Sequence, residues 1–326
     1  GGARDLDIAP DGTVWFALLG YGGALGGVVR HTPGTSDWHY WSGGLVVQGG
    51  NNWPLTVWAV RRLSIQPKPG GGYVVWADSE NSSALVAFDS TTAQWTLHEF
   101  SFTPGALLDM PGKGCVDGSG NFWARRFAGF AGSTPVFSLD YRTPAGAWIV
   151  PSQPVLPAFD PPIWAFRAYG DGEALLADGT SRVWHFDGAV WEDFGIWGAG
   201  TSSDDLAIDS AGNVWAVGTG GAAKRDAVTG LWQRYRVTNT GQYDFFNQDL
   251  ALDPATGDLF ACANAGPGAG GMTKFDGARW TGFNSAQYGL GVEWPFPTDN
   301  CEAVAYRPAT SSVASNPTYN GIHQWD

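Results

Sequence analysis

One short pattern recurs along this chain, and its recurrence limits what the chain can fold into. The clearest copy, residues 206–235, reads LAIDSAGNVWAVGTGGAAKRDAVTGLWQRY. It contains four short runs, and each is bounded by Gly, Asp, Asn or Thr residues, which are typical of turns. None of the runs is long enough for a helix. The copy therefore predicts four antiparallel strands, named a to d, that are joined by hairpins.

Seven copies of the pattern follow one another, and the corner between strands a and b recurs at residues 6–15, 63–76, 114–123, 166–176, 206–217, 250–260 and 304–313. Their spacing of roughly 40 to 57 residues is close to the ~40–50 expected for four-stranded blades. A lone sheet of this size cannot bury both faces, whereas radially stacked sheets can. The repeat therefore predicts an all-β, seven-bladed β-propeller of four-stranded antiparallel blades, with tryptophans packed between neighbouring sheets at positions 15, 76, 123 and 215.

We expect a single propeller domain over residues 1–326, because propellers form long single units. Its blades are predicted near residues 5–42, 61–100, 112–151, 163–197, 203–237, 248–284 and 301–326. The last copy lacks the residues that form strand d elsewhere. We therefore expect an incomplete last blade, or a segment of a longer protein, and an open edge that pairs with another chain or a flanking segment.

Composition and charge exclude several classes of partner. The formal net charge is −13, and the 18 Lys and Arg residues form no stripe, so nucleic acid is not an expected partner. The sequence contains no run of 18 apolar residues, so membrane insertion is not expected. Charged residues are only 15% of a chain with 47 Gly and 18 Trp. This composition is typical of secreted β-proteins, and we expect an extracellular or cell-surface location, with the periplasm as the alternative.

The three cysteines are Cys115, Cys262 and Cys301. Each falls in or beside a predicted strand, where a free cysteine behaves as a small apolar residue. Cys262 and Cys301 belong to adjacent predicted blades, so a bridge between them is compatible with the repeat, but the sequence leaves their bonding open. The spacing of cysteines and histidines does not predict a zinc site.

The longer connections are expected on one face of the propeller, because the a–b and c–d turns are short and uniform while the d–a and b–c connections vary. Variable loops on a fixed scaffold are typical binding sites. Aromatic surfaces with few charges suit a glycan or an extended peptide. The predicted ligand-binding residues in these connections and at the channel mouth are Trp53, Phe130, Trp164, Trp197, Tyr243, Phe245, Tyr288, Trp294, Arg61 and Arg167. Packing of the rings onto the blades is the alternative.

Acidic residues recur at the predicted start of strand a. Asp5, Asp205, Asp249 and Glu302 come from copies that would be neighbours around a ring. Carboxylate oxygens are the ligands that Ca²⁺ prefers, so these four residues are a candidate calcium site. A solvated acidic rim is the alternative interpretation.

Catalysis is less favoured than binding. The five histidines fall on predicted strands c and d, away from the channel, and the sequence has no nucleophile elbow, HExxH or phosphate loop. We therefore expect a non-catalytic module that binds a glycan, peptide or protein partner. One alternative is a carbohydrate-active lyase or glycosidase with carboxylates at the channel mouth. Another is a structural module of a larger surface protein or filament.

The D-x-x-G-N-V/F-W corner, the G-x-G-G break and the D-x-x-T-G-x-W turn resemble the propeller repeats of two-component regulators. They are also similar to NHL repeats and to virginiamycin B lyase-like propellers. The resemblance covers most of the chain and is strongest at 206–235 and 6–41. It implies a periplasmic or extracellular sensing domain, often for glycans. The lyase-like enzymes use a His and Glu set with Mg²⁺ on inner strands, and no histidine here matches that position.

Overall fold

The computed structural model describes residues 3–18, 26–42, 60–79, 84–99, 114–131, 134–149, 163–170, 172–178, 180–198, 202–236, 247–263, 271–283, 301–307, 312–317 and 323–325. These residues form β-strands and turns, without a helix. Accordingly, none of the described residues belongs to a helix that could cross a membrane. The strands make seven sheets, six of four strands and one of three. The fold is an all-β propeller, as the repeat predicted.

The sheets are numbered 1 to 7 in chain order, and within each the strands are adjacent in the order in which the chain forms them. Sheet 1 contains β1 (Ala3–Ile8), β2 (Val14–Leu18), β3 (Gly27–His31) and β4 (Trp38–Ser42). Sheet 2 contains β5 (Val60–Pro67), β6 (Tyr73–Ser79), β7 (Ala84–Asp89) and β8 (Gln94–Glu99). Sheet 3 contains β9 (Cys115–Val116), β10 (Phe122–Ala131), β11 (Thr134–Arg142) and β12 (Trp148–Ile149).

Sheet 4 contains β13 (Ile163–Tyr169), β14 (Glu173–Asp178), β15 (Arg182–Phe186) and β16 (Trp191–Ile196). Sheet 5 contains β17 (Asp205–Ile208), β18 (Val214–Gly218), β19 (Gly221–Arg225) and β20 (Trp232–Tyr235). Sheet 6 contains β21 (Asn247–Leu252), β22 (Leu259–Ala263), β23 (Gly271–Phe275) and β24 (Trp280–Phe283). Sheet 7 contains β25 (Cys301–Arg307), β26 (Ser312–Pro317) and β27 (His323–Trp325), so the predicted incomplete last blade has three described strands.

The chain divides into two compact units. The first comprises residues 1–162, 166–174 and 185–192, and the second comprises 163–165, 175–184 and 193–326. The boundary passes through sheet 4. The expectation of one domain over residues 1–326 therefore stays a prediction.

In the first unit, aromatic layers hold neighbouring sheets together. Trp15 is fully buried between sheets 1 and 2, where it stacks on Trp41 at 5.6 Å between ring centroids and lies 5.0 Å from Phe88. Trp76 stacks on Phe122 of sheet 3 at 4.2 Å. Buried aromatic pairs of this kind add attraction beyond the area that they bury. These layers explain why the repeat keeps an aromatic residue on the second strand.

The second unit uses the same arrangement. Trp215 is buried between sheets 5 and 6, 5.7 Å from Tyr235 and 5.3 Å from Phe275. The next layer, between sheets 6 and 7, contains Phe260, Met272 and Val313. The packing predicted for Trp15, Trp76 and Trp215 is therefore confirmed. In the first unit, the predicted packing is also confirmed for Trp123, whose ring lies 6.3 Å from Phe186 of sheet 4.

The recurring spacing of Asp, Asn and Trp within the a–b corner has a hydrogen-bonding cause. Asp209 accepts the backbone N–H of Asn213 at 2.9 Å and the indole N–H of Trp215 at 3.2 Å. Asp117 does the same for Asn121 at 2.9 Å and Trp123 at 2.7 Å. One carboxylate thus closes the turn and orients the buried ring. Residues 117–121 resemble part of a calcium loop in sequence, and in the structure Asp117 closes a turn there.

Cys262 and Cys301 form a disulfide with a Cα–Cα distance of 4.9 Å. It joins β22 of sheet 6 to β25 of sheet 7, and both cysteines are buried. The sequence left this pairing open, because strand positions alone do not bring two side chains together. Cys115 is buried and takes no part in this disulfide, and its sulfur accepts the backbone N–H of Ala168 at 2.8 Å.

Candidate ligand-binding site

The long connections leave one end of each sheet. In an antiparallel four-stranded sheet, the b–c connection and the link to the next sheet leave the same end, opposite the a–b and c–d turns. The links between sheets occupy residues 43–59, 100–114, 150–162, 197–204, 236–246 and 284–300. The a–b and c–d connections are short, whereas among the b–c connections only 19–26 and 264–270 are comparably long. The variation that was expected of every b–c loop is therefore concentrated in the links between sheets.

The predicted ligand-binding residues differ in how far the structure describes them. Outside the described residues lie Trp53, Tyr243, Phe245, Tyr288 and Trp294. Three others lie in strands at the long-connection end, with side chains that are not described: Arg61 in β5, Phe130 in β10 and Trp164 in β13. Arg167 lies farther along β13 and is partly buried.

Trp197 is the predicted binding residue with the clearest environment. Its side chain is 1% exposed, and its indole N–H donates to the Ser203 hydroxyl at 2.6 Å. Its backbone N–H donates to the Ser181 carbonyl at 3.2 Å. These contacts correspond to the packing alternative, so Trp197 serves here to attach the link between sheets 4 and 5.

Three of the four predicted calcium ligands accept hydrogen bonds from the neighbouring sheet. Asp5 accepts the backbone N–H of Leu63 at 2.8 Å, and Asp205 accepts that of Leu250 at 3.3 Å. Asp249 accepts that of Val304 at 3.0 Å. All three aspartates are buried. The recurring acid at the start of the first strand therefore joins the first strands of consecutive sheets.

Glu302 occupies a different position from these aspartates. In sheet 7 the register passes from the Cys301–Pro317 pair directly to the Ala303–Asn316 pair, so Glu302 is the extra residue of a β-bulge. Corresponding bulges lie between Ala3 and Asp5 and between Asn247 and Asp249. The residue of sheet 7 that matches Asp249 in register is therefore Ala303. Among the described residues, no group of three His, Cys, Asp or Glu side chains is placed to hold a metal ion.

Replacing Asp249 tests whether this aspartate joins two sheets by its hydrogen bond or binds calcium. Asp249→Ala leaves the buried Val304 N–H without its acceptor, and we expect the free energy of unfolding to fall by about 1–3 kcal/mol. Asp249→Asn keeps one acceptor oxygen and should lose less. Urea denaturation with EDTA and with millimolar Ca²⁺ measures both effects. A wild-type gain in stability with Ca²⁺ that disappears in Asp249→Asn would instead favour the calcium hypothesis.

Among the described residues of the first unit, Asp7 is the carboxylate with the largest shift in pKa, and the sequence analysis does not single it out. It accepts the backbone N–H of Ile8 at 2.8 Å and that of Ile65, in sheet 2, at 3.0 Å. The pKa of Asp7 is raised to about 7, mainly by burial and also by the nearby Asp5, while the two N–H donors and the Arg167 guanidinium oppose the rise. Asp5, Asp7 and Arg167 thus form a small charged group on first strands, named the Asp7 cluster.

The raised pKa of Asp7 predicts a stability that depends on pH. At pH values between the unfolded pKa near 3.8 and the folded pKa of about 7, the folded protein holds the Asp7 proton more tightly than the unfolded chain does. Unfolding then releases a proton, so this group's contribution to stability is present at low pH and is lost as the pH rises from about 4 to about 7. We expect Asp7→Asn to become more stable relative to wild type over the same interval, as measured by urea denaturation.

Asp11→Asn is the matched control, because Asp11 is exposed in the adjacent turn and accepts only a local N–H, from Thr13 at 2.9 Å. Its stability difference from wild type is measured over the same pH range as the reference. A pH dependence of Asp7→Asn that is no larger than that of Asp11→Asn would contradict the raised pKa of Asp7.

The sequence carried a signal for the Asp7 cluster that was not used. Asp5 and Asp7 are two residues apart on one strand, so their side chains lie on the same face of the sheet. Both accept from β5, at residues two apart, Leu63 and Ile65. By contrast, no spacing rule indicates that Arg167, from sheet 4, lies near Asp7.

All five histidines lie on third or fourth strands, as the sequence predicted. They are His31 in β3, His39 in β4, His98 in β8, His185 in β15 and His323 in β27. In sheet 4, His185 lies close to Glu173, with 3.7 Å between the imidazole nitrogen and the carboxylate oxygen. Tyr169 stacks beside this histidine at 5.9 Å. The group lies next to the short a–b turn, at the end of the sheet opposite the long connections.

No family model matches the chain, and no curated protein matches it. Several solved structures match the chain. The extracellular domain of the hybrid two-component system BT3049 from B. thetaiotaomicron matches with a TM-score of 0.64 and 13% identity, over 99% of this chain and 39% of that one. The chain thus spans about two fifths of that structure.

Two further structures are similar over nearly their whole length. A catalytically inactive virginiamycin B lyase from Staphylococcus aureus, solved with quinupristin, has a TM-score of 0.64 and 10% identity, over 99% of this chain and 94% of that one. YCF48 bound to D1 peptide has a TM-score of 0.62 and 12% identity, over 99% and 91%. At these identities the similarity shows the propeller fold alone.

Proposed function

We propose that this chain is a non-catalytic binding module, secreted or exposed at the cell surface, that recognises a peptide or protein segment through the long-connection end of its sheets. The observation that carries the proposal is the unequal distribution of connections. The links between sheets are long and differ from one another, while the turns at the opposite end are short and tied by their own aspartates. Such an end offers variable side chains on a rigid base.

The residue types at that end support a partner with apolar and polar groups. Arg61, Phe130 and Trp164 lie in strands there. The connections contribute Trp53, Tyr243, Phe245, Tyr288 and Trp294. Aromatic and arginine side chains are the residues that most often dominate binding to proteins.

The comparisons agree with a peptide or protein partner. YCF48 was solved with a bound peptide, and the same fold occurs in the mitotic checkpoint complex, with a TM-score of 0.65 and 10% identity. The disulfide between Cys262 and Cys301 supports an oxidising compartment, and the BT3049 domain is extracellular. A glycan is the second candidate ligand, because the aromatic residues also suit sugar rings.

The test is a parallel screen of a peptide array and a glycan array, followed by tryptophan-fluorescence titration of any ligand found. We expect a peptide ligand whose binding is weakened at least tenfold in Trp294→Ala and Tyr288→Ala. Val228→Ala and Leu231→Ala are matched controls, because these side chains are 93% and 71% exposed beside the opposite turns. They should bind as wild type does.

Three results would contradict the proposal. A ligand that the two control variants lose would place binding at the opposite end. A ligand found only on the glycan array would replace the peptide with a sugar. Chemical turnover of any bound ligand, detected by mass spectrometry, would show an enzyme and favour the carbohydrate-active alternative. The Asp249→Asn variant would then be assayed for loss of that turnover.

A further inference from the structure

Two of the layers between neighbouring sheets share one arrangement of rings. Between sheets 5 and 6, the buried Trp215 lies 5.3 Å from Phe275, which pairs in register with Trp280 of the fourth strand. Tyr235, from the fourth strand of sheet 5, covers the same tryptophan at 5.7 Å. In both layers, uncharged aromatic side chains surround the second-strand tryptophan. The equivalent rings between sheets 1 and 2 are Trp15, Phe88, Trp95 and Trp41.

The layer between sheets 2 and 3 has basic side chains at two of these positions. Arg142 pairs in register with Trp148 and so takes the place of the phenylalanine, and its guanidinium carbon lies 5.3 Å from the ring centroid of Trp76. His98 is the third residue after the fourth-strand tryptophan of sheet 2 and so takes the place of the tyrosine. Its ring lies 5.0 Å from the same Trp76 ring. A guanidinium and an imidazole, from two sheets, therefore contact one indole.

This pair of basic groups is partly removed from water. Both side chains are half-buried. The pKa of His98 is lowered, mainly by burial and also by the charge of Arg142, and burial likewise lowers the pKa of Arg142. Moving a charge out of water is unfavourable unless an opposite charge comes with it. The layer therefore favours the presence of an anion beside these two groups.

The nearby acid already has a cation partner. Asp89 stabilises the charged form of Arg142, but both of its carboxylate oxygens accept from the Lys68 ammonium, at 2.8 and 2.9 Å. Within the part of the chain that the structure describes, none of the ion pairs includes Arg142 or His98. This is unexpected in a chain with 31 acidic and 18 Lys and Arg residues.

The shape and position of the guanidinium suit an external anion. Its planar fork of N–H donors matches the two oxygens of a carboxylate or a phosphate, and an imidazole N–H can add a further donor. A Cβ atom built on Gly146 would lie 3.2 Å from Nη2 of Arg142. The fork is therefore next to the short c–d turn of sheet 3, at the opposite end of the sheet from the long connections.

We propose that Arg142 and His98 form an anion-binding site in the layer between sheets 2 and 3, for the carboxylate or phosphate group of a ligand. Trp76 lies beneath the guanidinium, and Trp148 flanks the imidazole with 6.4 Å between ring centroids. The bound anion supplies the opposite charge for the two basic groups. The site is separate from the long-connection end, so it does not depend on the function proposed above.

The test is a titration of the full chain, carrying isotope-labelled histidine, with sodium acetate and with inorganic phosphate at constant ionic strength. We expect saturable shifts of the His98 ring signals in the NMR spectrum, where they are assigned from their loss in His98→Gln. Arg142→Gln should bind the anion about tenfold more weakly, a loss of ~1.4 kcal/mol. Tighter binding of acetate would identify a carboxylate ligand, and tighter binding of phosphate a phosphorylated one.

Arg225→Gln is the matched control. Arg225 has the same register position in sheet 5, paired with Trp232, and its guanidinium carbon lies 3.7 Å from the ring centroid of Phe194. Phe194 follows the fourth-strand tryptophan of sheet 4 by three residues, as His98 does in sheet 2, so this arginine has a ring without the second basic group. The variant should bind the anion at the His98 site as wild type does.

A second variant guards against a loss of folding in Arg142→Gln. Arg142→Lys keeps the positive charge but not the planar fork. It should bind the anion more weakly than wild type and more strongly than Arg142→Gln. Circular dichroism establishes that each variant is folded, and if Arg142→Gln does not fold, the comparison of Arg142→Lys with wild type decides. Equal affinities of the lysine variant and wild type would then contradict the guanidinium contact.

Three further outcomes count against the proposal. No saturable shift with either anion would leave Arg142, Trp76 and His98 as a purely structural stack. Equal losses of affinity in Arg142→Gln and Arg225→Gln would show that anions respond to the total charge of the protein. Calorimetric binding that leaves the His98 signals unchanged would place the anion elsewhere.

Discussion

Replacing Trp215 with alanine should lower the free energy of unfolding by about 3–5 kcal/mol, the usual cost of truncating a buried tryptophan. The side chain is 1% exposed and contacts Tyr235, Phe275 and Trp280 in the layer between sheets 5 and 6. Its indole N–H also donates to Asp209, so the variant leaves that carboxylate with one donor fewer. Since a domain is stable by only ~5–15 kcal/mol, this single change should remove a large part of the total. Urea denaturation followed by circular dichroism measures it.

Trp38→Ala is the matched control. Trp38 also lies on a strand, but its side chain is 49% exposed and its closest ring contact is His31, at 4.0 Å. We expect it to cost about 1 kcal/mol or less, because little surface returns to water. Equal losses for Trp38→Ala and Trp215→Ala would mean that the aromatic layers are not what holds neighbouring sheets together.

The sequence predicted the architecture well because each copy repeats its own local determinants. The turn at Asp209 and the ring of Trp215 are six residues apart and are joined directly by a hydrogen bond, so local spacing was enough to identify them. The third strand of sheet 7 could be aligned in the same way. The expectation of an incomplete last blade came from the last copy, and three strands of sheet 7 are described.

The candidate site was harder to predict, because its contacts join distant residues. The first-strand acids were recognised as a recurring feature, but their partners are backbone N–H groups of the next sheet, as Asp5 shows with Leu63. The carboxylate pattern predicts metal ligation, which stays a prediction, whereas a backbone N–H donor cannot be recognised in the sequence. Glu302 was grouped with the aspartates because a β-bulge shifts the register by one residue, and bulges are not visible in the residue pattern.

Trp197 shows the same difficulty for an aromatic residue, because its role also depends on tertiary contacts. A tryptophan in a long connection is a typical binding residue, but Trp197 is buried and its two N–H groups donate to Ser181 and Ser203. These serines have no distinctive spacing relative to the ring. Composition can therefore identify the connections that carry aromatic residues, whereas only tertiary contacts separate rings that pack from rings that remain available to a ligand.

Breaking the disulfide is the second change from which we expect a large effect. Cys262 and Cys301 are 39 residues apart in sequence, and a crosslink that closes a loop of this length stabilises a protein by about 4 kcal/mol in the chain-entropy model. The crosslink joins the sheet with the fewest described strands to its neighbour, so its loss should release sheet 7 before the others. We expect TCEP to lower the melting temperature of wild type clearly. Hydrogen exchange should then rise first in residues 301–307 and 312–317.

The cysteine variants separate the disulfide from other effects of the reductant. Cys262→Ala combined with Cys301→Ala should melt at the temperature of reduced wild type and should not respond to TCEP. Cys115→Ala should keep the full response, because Cys115 takes no part in this disulfide and its sulfur accepts the Ala168 N–H. If the double variant melted at the temperature of oxidised wild type, the crosslink would contribute nothing. Three strands and the layer of Phe260, Met272 and Val313 would then be sufficient to hold sheet 7.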